Sequence, residues 1–373
     1  MKKFSIFWAW SLLLPIGLTL FLLPFDPLVG GRFLAVWVMG LLFVVPGDRR
    51  LVYWPFLALM LLSARVWWLN YPPHPVSFHD ALLLLAGVVA AASVPLNRLM
   101  VLVRLSLLAV FPALLTVGDR PWAPNPIVGS NQGAYVLGFL FLLAAIWCWQ
   151  ERQLWSKLFV GVVASSAFML MWQTGSRAAL IASVVALVIV RLLESYRFGA
   201  LRRDLCFAVG MAILLYCVRW WLFPSGTGLP GFDADSDLGR FWAAQCFLAL
   251  PFSGQNRLLY GVGFDRIKDF CQEVPGGVAL AHAHNLYLQI WAAAGFLGVL
   301  AFILIAIILF QKWRLAEASM PQPLRISGQA LWIYVLLQSL FDLSMWHWAT
   351  TLIFTGFLLG IPLACLQAST DSP

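Results

Sequence analysis

Apolar residues along this chain gather into blocks of roughly 16–25 residues, separated by short polar breaks. Each block is long enough to cross a hydrocarbon core about 30 Å thick. The blocks fall at about 4–24, 31–46, 51–69, 80–96, 99–117, 133–150, 155–173, 177–194, 205–223, 284–311, 326–345 and 347–366, which makes twelve. In lipid the backbone must satisfy its own hydrogen bonds, so each block is expected to be a helix. No alternation in ten-residue segments marks a β-barrel. The expected fold is therefore all-α: a polytopic membrane bundle of about twelve transmembrane helices. Residues 1–373 form one integral membrane domain, and residues 224–283 form its single large loop, between the ninth and tenth spans. No internal repeat stands out. Met1-Lys2-Lys3 and the apolar run behind them resemble a signal peptide, but Phe25-Asp26-Pro27 stands where a small-residue cleavage site would be, so an uncleaved first span is expected.

Composition agrees with this pattern: 62% of residues are hydrophobic and 11% charged, against about 45–50% and roughly 25% in soluble domains. Many of the 19 Trp sit near block ends, as interfacial belts require. The formal charge of +8 does not imply nucleic acid, because the basic residues are scattered singly and form no stripe along which a phosphate backbone could run. Their use is topological. With the N-terminus in the cytoplasm, inside segments carry Lys2, Lys3, Arg49, Arg50, Arg98, Arg152, Lys157, Arg191, Arg197, Arg202, Arg203, Lys312, Arg314 and Arg325, whereas short outside connections carry only Arg32 and Arg120. That bias sets the orientation and supports an even number of spans, with both termini cytoplasmic.

The loop 224–283 then lies outside. A connection this long tends to be functional. It opens with Pro224-Ser225-Gly226-Thr227-Gly228 and continues with Asp233, Asp235 and Asp237. Arg240-Phe241-Trp242 and an amphipathic stretch follow, then Gly261-Val262-Gly263-Phe264, and it closes on His282-Ala283-His284-Asn285. Cys246 and Cys271 share it, so a disulfide is open to them in an oxidising compartment. Cys148, Cys206, Cys217 and Cys365 read as packing residues in or beside apolar blocks.

Several cations fall on or near the outer side, against the charge bias: Arg65, Arg177, Arg219, Arg240, Arg257, Arg266 and Lys268. For any one of them, snorkelling to the headgroups is an adequate explanation. Several guanidinium groups around one outer cavity would instead suit an anion, since Arg holds phosphate in bidentate fashion and keeps its charge. Arg177 follows Gly175-Ser176 at the head of the eighth span, where the helix dipole also attracts anions. All five histidines (His74, His79, His282, His284 and His347) fall outside. For His282 and His284 three readings stand: metal ligand, structural residue at a helix start, and general base. Nothing has metal-ligand spacing. Neutral imidazole is the side chain best tuned to accept a proton near neutrality, which favours the base.

His284-Asn285, nine residues, then Gly295-Phe296-Leu297-Gly298 gives the pattern H-N-x9-G-x-x-G at the start of a late span. It resembles the signature of bacterial O-antigen ligases, a superfamily shared with O-antigen polymerases and O-linked oligosaccharyltransferases. Gly175-Ser176-Arg177-Ala178-Ala179-Leu180 is similar to that family's serine-arginine motif. Asp237-Leu238-Gly239-Arg240-Phe241-Trp242, continuing to Pro251 and Gly261-Val262-Gly263-Phe264, is similar to its long periplasmic loop. Twelve spans with the large loop after the ninth is also the family's architecture. The resemblance covers about residues 130–345. The chain is short for the family and lacks the C-terminal extension of the protein-glycosylating members, which argues against that branch.

The resemblance implies a transferase of lipopolysaccharide biosynthesis in the bacterial inner membrane, with its site facing the periplasm. The donor would be a glycan on undecaprenyl pyrophosphate and the acceptor lipid A–core, with inversion at the anomeric carbon and neither metal nor cofactor. On this reading His284 is the base, and Arg177 and Arg240 hold the pyrophosphate. His282 or Asn285 orients His284 or the acceptor, Asp342 is a partner for His284, and Arg65, Arg120 and Arg219 are further phosphate contacts or interfacial anchors. A polymerase that takes a second lipid-linked glycan as acceptor would use the same residues. A transporter or flippase of lipid-linked glycans would need polar residues deep in several spans, and the polar set here gathers on one side instead.

Overall fold

The computed structural model describes residues 130–174, 176–197, 234–263, 267–271, 283–317 and 320–342, with a few isolated positions before and after them. Helices and turns make up the described residues, and no strand occurs among them. The helices are α1 (Ser130–Gln150), α2 (Leu154–Gln173), α3 (Arg177–Arg197), α4 (Ala234–Ala249), α5 (Gln255–Tyr260), α6 (Ile267–Phe270), α7 (Leu286–Ala316) and α8 (Gln322–Phe341). A 3-10 turn, Leu250–Ser253, joins α4 to α5. The spans expected at 133–150, 155–173, 177–194, 284–311 and 326–345 correspond to α1, α2, α3, α7 and α8. Apart from isolated positions, the other seven lie outside the described residues.

Four of these helices, α1, α2, α3 and α7, are long and apolar enough to cross a membrane. The fifth long helix, α8, is 20 residues long but carries Arg325, Ser327, Gln329, Gln338 and Ser339. Its place in the bundle accounts for this. It packs against α1, α3 and α7, so Ser327, Gln338 and Ser339 are buried against protein rather than lipid, where polar groups are tolerated. Trp147 Nε1 of α1, for example, donates to Ser327 Oγ at 3.2 Å.

The core is built on α1, α2, α3 and α8, joined by Leu286, Ile290, Trp313 and Ala316 of α7. Tyr135 and Phe139 of α1 enclose Tyr334 of α8: the two tyrosine rings stack at 5.6 Å, and Phe139 meets Tyr334 edge-on at 5.2 Å. The Tyr334 hydroxyl donates to the Tyr135 carbonyl at 3.0 Å. Gly138 makes room for this ring, since a Cβ there would overlap the Tyr334 hydroxyl.

An ionic cluster sets the direction of three helices. Arg325, in the first turn of α8, pairs with Glu194 near the end of α3 at 3.1 Å and with Glu317 just past the end of α7 at 3.3 Å. Helix α8 therefore runs antiparallel to both α3 and α7. The start of α3 and the start of α7 accordingly lie at the same end of the bundle as the end of α8.

Candidate functional site

At that end of the bundle, the entry to α7 is held from both sides. Asn285 is the N-cap: its Oδ1 accepts the Leu288 N–H at 3.0 Å, so one of the orphan donors of the first turn is satisfied. Its Nδ2 donates to the Leu340 carbonyl at 2.8 Å, which satisfies an orphan carbonyl in the last turn of α8. One amide thus joins the start of one helix to the end of another. Tyr287 repeats the link, its hydroxyl donating to the Leu336 carbonyl at 3.1 Å. The buried Gln289 reaches back, and its Oε1 accepts the Ala283 N–H at 3.0 Å.

His284 lies between these two anchors in the left-handed region, with φ of 48°. Few non-glycine residues adopt this conformation, and His is among the more tolerant. It costs on the order of 1–3 kcal/mol and persists only where its surroundings impose it. Here Asn285 and Gln289 impose it. The result is that His284 Nδ1 lies 3.6 Å from Asp342 Oδ1, the histidine side chain being 26% and the aspartate 8% exposed. Asp342 is itself fixed as the C-cap of α8, its N–H donating to the Gln338 carbonyl at 2.9 Å. The separation is that of an ion pair and longer than a hydrogen bond. A carboxylate on the Nδ1 side favours the tautomer with its proton there, leaving Nε2 as a proton acceptor.

Eleven residues after His284, α7 breaks. Gly295 has φ of 61° and ψ of −159°, so the carbonyls just before it lose their helical partners. The loop supplies replacements: the N–H groups of Val262 and Gly263 donate to the Ala292 carbonyl at 3.0 Å and the Ala293 carbonyl at 2.8 Å. Gly261, Gly263 and Gly295 all have positive φ. The two glycine motifs of the sequence are thus the two halves of one joint. A small core seals it, in which Phe247, Leu250, Val262 and Ile267 pack on Ala292 and Ala293. A disulfide between Cys246 of α4 and Cys271 closes this unit, with Cα atoms 6.0 Å apart.

The structure brings three of the expected site residues into one contact group: His284, Asn285 and Asp342. Arg177 is the first residue of α3, half-buried, at the same end of the bundle as Asp342. The corner before it is tight, since Thr174 Oγ1 accepts the Ser176 N–H at 3.3 Å and donates to the Met171 carbonyl. Arg240 lies on α4, which packs against α7, and it too is half-buried. Arg257 is engaged within the loop unit: Nη1 donates to Ser253 Oγ at 2.8 Å, and the guanidinium lies 4.5 Å from the Phe270 ring centre. His282, Arg65, Arg120 and Arg219 lie outside the described residues, as does Asp233. Among the described residues no group of three His, Cys, Asp or Glu side chains comes close enough to hold a metal ion.

Gln289 was not anticipated from the sequence. Its signal is positional: it lies four residues after Asn285, one helical turn along the same face. Neither a protein-family model nor a characterised protein matches the chain.

Proposed function

We propose that this chain is a membrane glycosyltransferase of the O-antigen ligase type. On this reading it crosses the bacterial inner membrane about twelve times, with both termini in the cytoplasm and its site open to the periplasm. It passes a glycan from undecaprenyl pyrophosphate to lipid A–core. The observation that supports this best is the His284–Asp342 pair at 3.6 Å, held in a strained turn at the end of the bundle where the loop unit also packs. Strained backbone around a partly exposed imidazole beside a buried carboxylate is an arrangement suited to base chemistry.

His284 Nε2 takes the proton of an acceptor sugar hydroxyl. The hydroxyl oxygen forms a bond to the anomeric carbon from the face opposite the leaving group. The bond from that carbon to the pyrophosphate oxygen breaks, and undecaprenyl pyrophosphate departs with the electron pair. Asp342 stabilises the imidazolium that forms. Arg177 and Arg240 stabilise negative charge on the leaving pyrophosphate, as preorganised cations do. Configuration at the anomeric carbon inverts, and no cofactor or metal takes part.

The test is a purified assay with undecaprenyl-linked glycan and either lipid A–core or a second linked glycan as acceptor. Glycan on lipid A–core supports the ligase reading. Lengthened glycan on the carrier would reassign the protein as a polymerase using the same residues. Formation of neither product overturns both.

A further inference from the structure

Helix α7 changes character at Gly295. From Leu286 to Gly295 none of its residues is exposed. From Phe296 onward one stripe lies open and is wholly apolar: Phe296, Leu300, Ile303, Ile307 and Phe310. These are spaced three or four apart, as one face of a helix requires, and the stripe ends at Gln311 and Lys312. The helix is apolar and long enough to span a membrane, so this stripe is its lipid-facing side.

That stripe is too short to cover a bilayer alone. The fifteen residues from Phe296 to Phe310 rise roughly 22 Å, against a hydrocarbon core about 30 Å thick. The missing length lies on the His284 side of Gly295, where the loop unit covers α7. Trp291 Nε1 donates to the Leu248 carbonyl at 3.1 Å, and its ring lies 5.7 Å from that of Phe252. A Cβ on Gly295 would meet the Leu259 backbone carbon at 2.7 Å and the Leu258 carbonyl oxygen at 2.8 Å. The 3-10 turn and α5 therefore sit directly above the stripe.

The outer face of this cover carries large apolar side chains, with Gln245, Ser253 and Asn256 as exposed polar residues among them. Phe241 and Leu248 of α4 are each 55% exposed, Phe252 is 68% exposed, and Leu258 and Leu259 are 38% and 44% exposed. These are not residues displaced from a failed core, because α4 and the turn bury a separate pair, Phe247 and Leu250, against α7. The one described cation of α5, Arg257, folds against Ser253 and Phe270. A segment with one apolar face on protein and a second facing outward, continuous with a lipid-facing helix, fits the geometry of an interfacial membrane element.

We propose that the 3-10 turn and α5 are immersed in the bilayer leaflet on the His284 side. Phe252, Leu258 and Leu259 there contact acyl chains and complete the lipid-facing surface that α7 leaves short. The occupant of this face is lipid, because the face continues the exposed stripe of α7 across the joint at Gly295. This placement holds whatever the chemistry of the His284 site, and its test reads no activity.

The experiment uses the full chain in phosphatidylethanolamine–phosphatidylglycerol vesicles. Cys148, Cys206, Cys217 and Cys365 are replaced by Ala and the Cys246–Cys271 disulfide is kept. Single cysteines at Phe252, Leu258 or Leu259 carry a nitroxide, with Ile303 as the mid-stripe reference. Collision rates with oxygen, which concentrates in hydrocarbon, and with nickel-EDDA, which stays in water, are compared. Oxygen collisions should exceed those of nickel-EDDA several-fold at all three positions, as at Ile303. An excess of nickel-EDDA at Leu258 and Leu259 would place α5 in water and overturn the proposal. Suppression of both collision rates would mean that protein covers the face, and would overturn it equally. Retention of the disulfide in each labelled protein checks its fold, and the three positions are read independently.

Discussion

Gly261 and Gly295 meet backbone to backbone. A Cβ on Gly295 would lie 2.6 Å from the Gly261 nitrogen, and one on Gly261 would overlap the Ala293 carbonyl group. The two residues are 34 positions apart in sequence, yet neither has room for a side chain: the backbone of Leu258, Leu259 and Gly261 closes on Gly295, and that of Ala293 and Ala294 closes on Gly261. Each also has positive φ, 70° and 61°, where an L side chain is strained in addition.

Gly295→Ala should therefore cost more than the roughly 1–3 kcal/mol of its backbone conformation alone, since the obstructing atoms are backbone and cannot rotate away. The thermal midpoint in detergent should fall. The double variant Gly261→Ala/Gly295→Ala should lose less than the two single losses added together, because both push apart the same pair of backbone segments. Strict additivity would mean that the two glycines act separately.

His284 separates stability from chemistry. Its φ of 48° is free for Gly and tolerable for Asn. His284→Gly and His284→Asn should therefore unfold at temperatures at or above that of His284→Ala. All three should transfer glycan about 10²–10⁴-fold more slowly than the parent, the usual worth of a general base. Near-normal transfer by any of them at equal protein level would remove His284 from that role. Arg177→Lys should also lose transfer, together with donor binding, because an ammonium cannot hold a phosphate bidentately.

Asn285 carries two bonds that two substitutions divide. Asn285→Asp keeps an acceptor for the Leu288 N–H but loses the donor to the Leu340 carbonyl. Asn285→Ala loses both, including a cap worth about 1 kcal/mol. The thermal midpoint should fall in the order Asn, Asp, Ala. Transfer should drop in both variants, because the bond to Leu340 brings the His284 turn to Asp342. An Asn285→Asp variant with unchanged transfer would leave only the capping role.

At the far end of the bundle, Arg325→Ala strands Glu194, whose side chain is 3% exposed. Breaking such a buried pair from one side costs about 3–5 kcal/mol, so the loss of stability should be large. The folded fraction should nonetheless transfer at the parental rate, since the cluster lies a full helix length from His284. Activity per folded molecule, measured after size exclusion, checks this.

The disulfide between Cys246 and Cys271 closes a segment with a sequence separation of 25. Such a closure stabilises by about 3 kcal/mol through the unfolded chain. The paired variant Cys246→Ser/Cys271→Ser should become more sensitive to limited proteolysis between these positions, while α1, α2, α3 and α8 stay protected. Equal protection with and without reductant would show that the apolar cluster alone holds the unit.

Block length and hydropathy alone placed α1, α2, α3, α7 and α8 within a few residues of their bounds. Long apolar runs leave the backbone no stable choice in lipid but helix. Local pattern was also enough to single out His284, Asn285 and Arg177 as residues at helix starts, because caps and breaks depend on near neighbours. What the sequence alone did not carry were the relations across long separations. Leu340 accepts from Asn285 across 55 positions, and Glu194 meets Arg325 across 131. Nothing within a turn or two of either partner records such a contact. The break in α7 is the plainest case. Gly295 sits inside a continuous apolar run, where one glycine costs a helix only about 1 kcal/mol and does not by itself end it. Only the folded chain, which brings the N–H groups of Val262 and Gly263 to the freed carbonyls, makes the break stable and sets where the exposed apolar stripe of α7 begins.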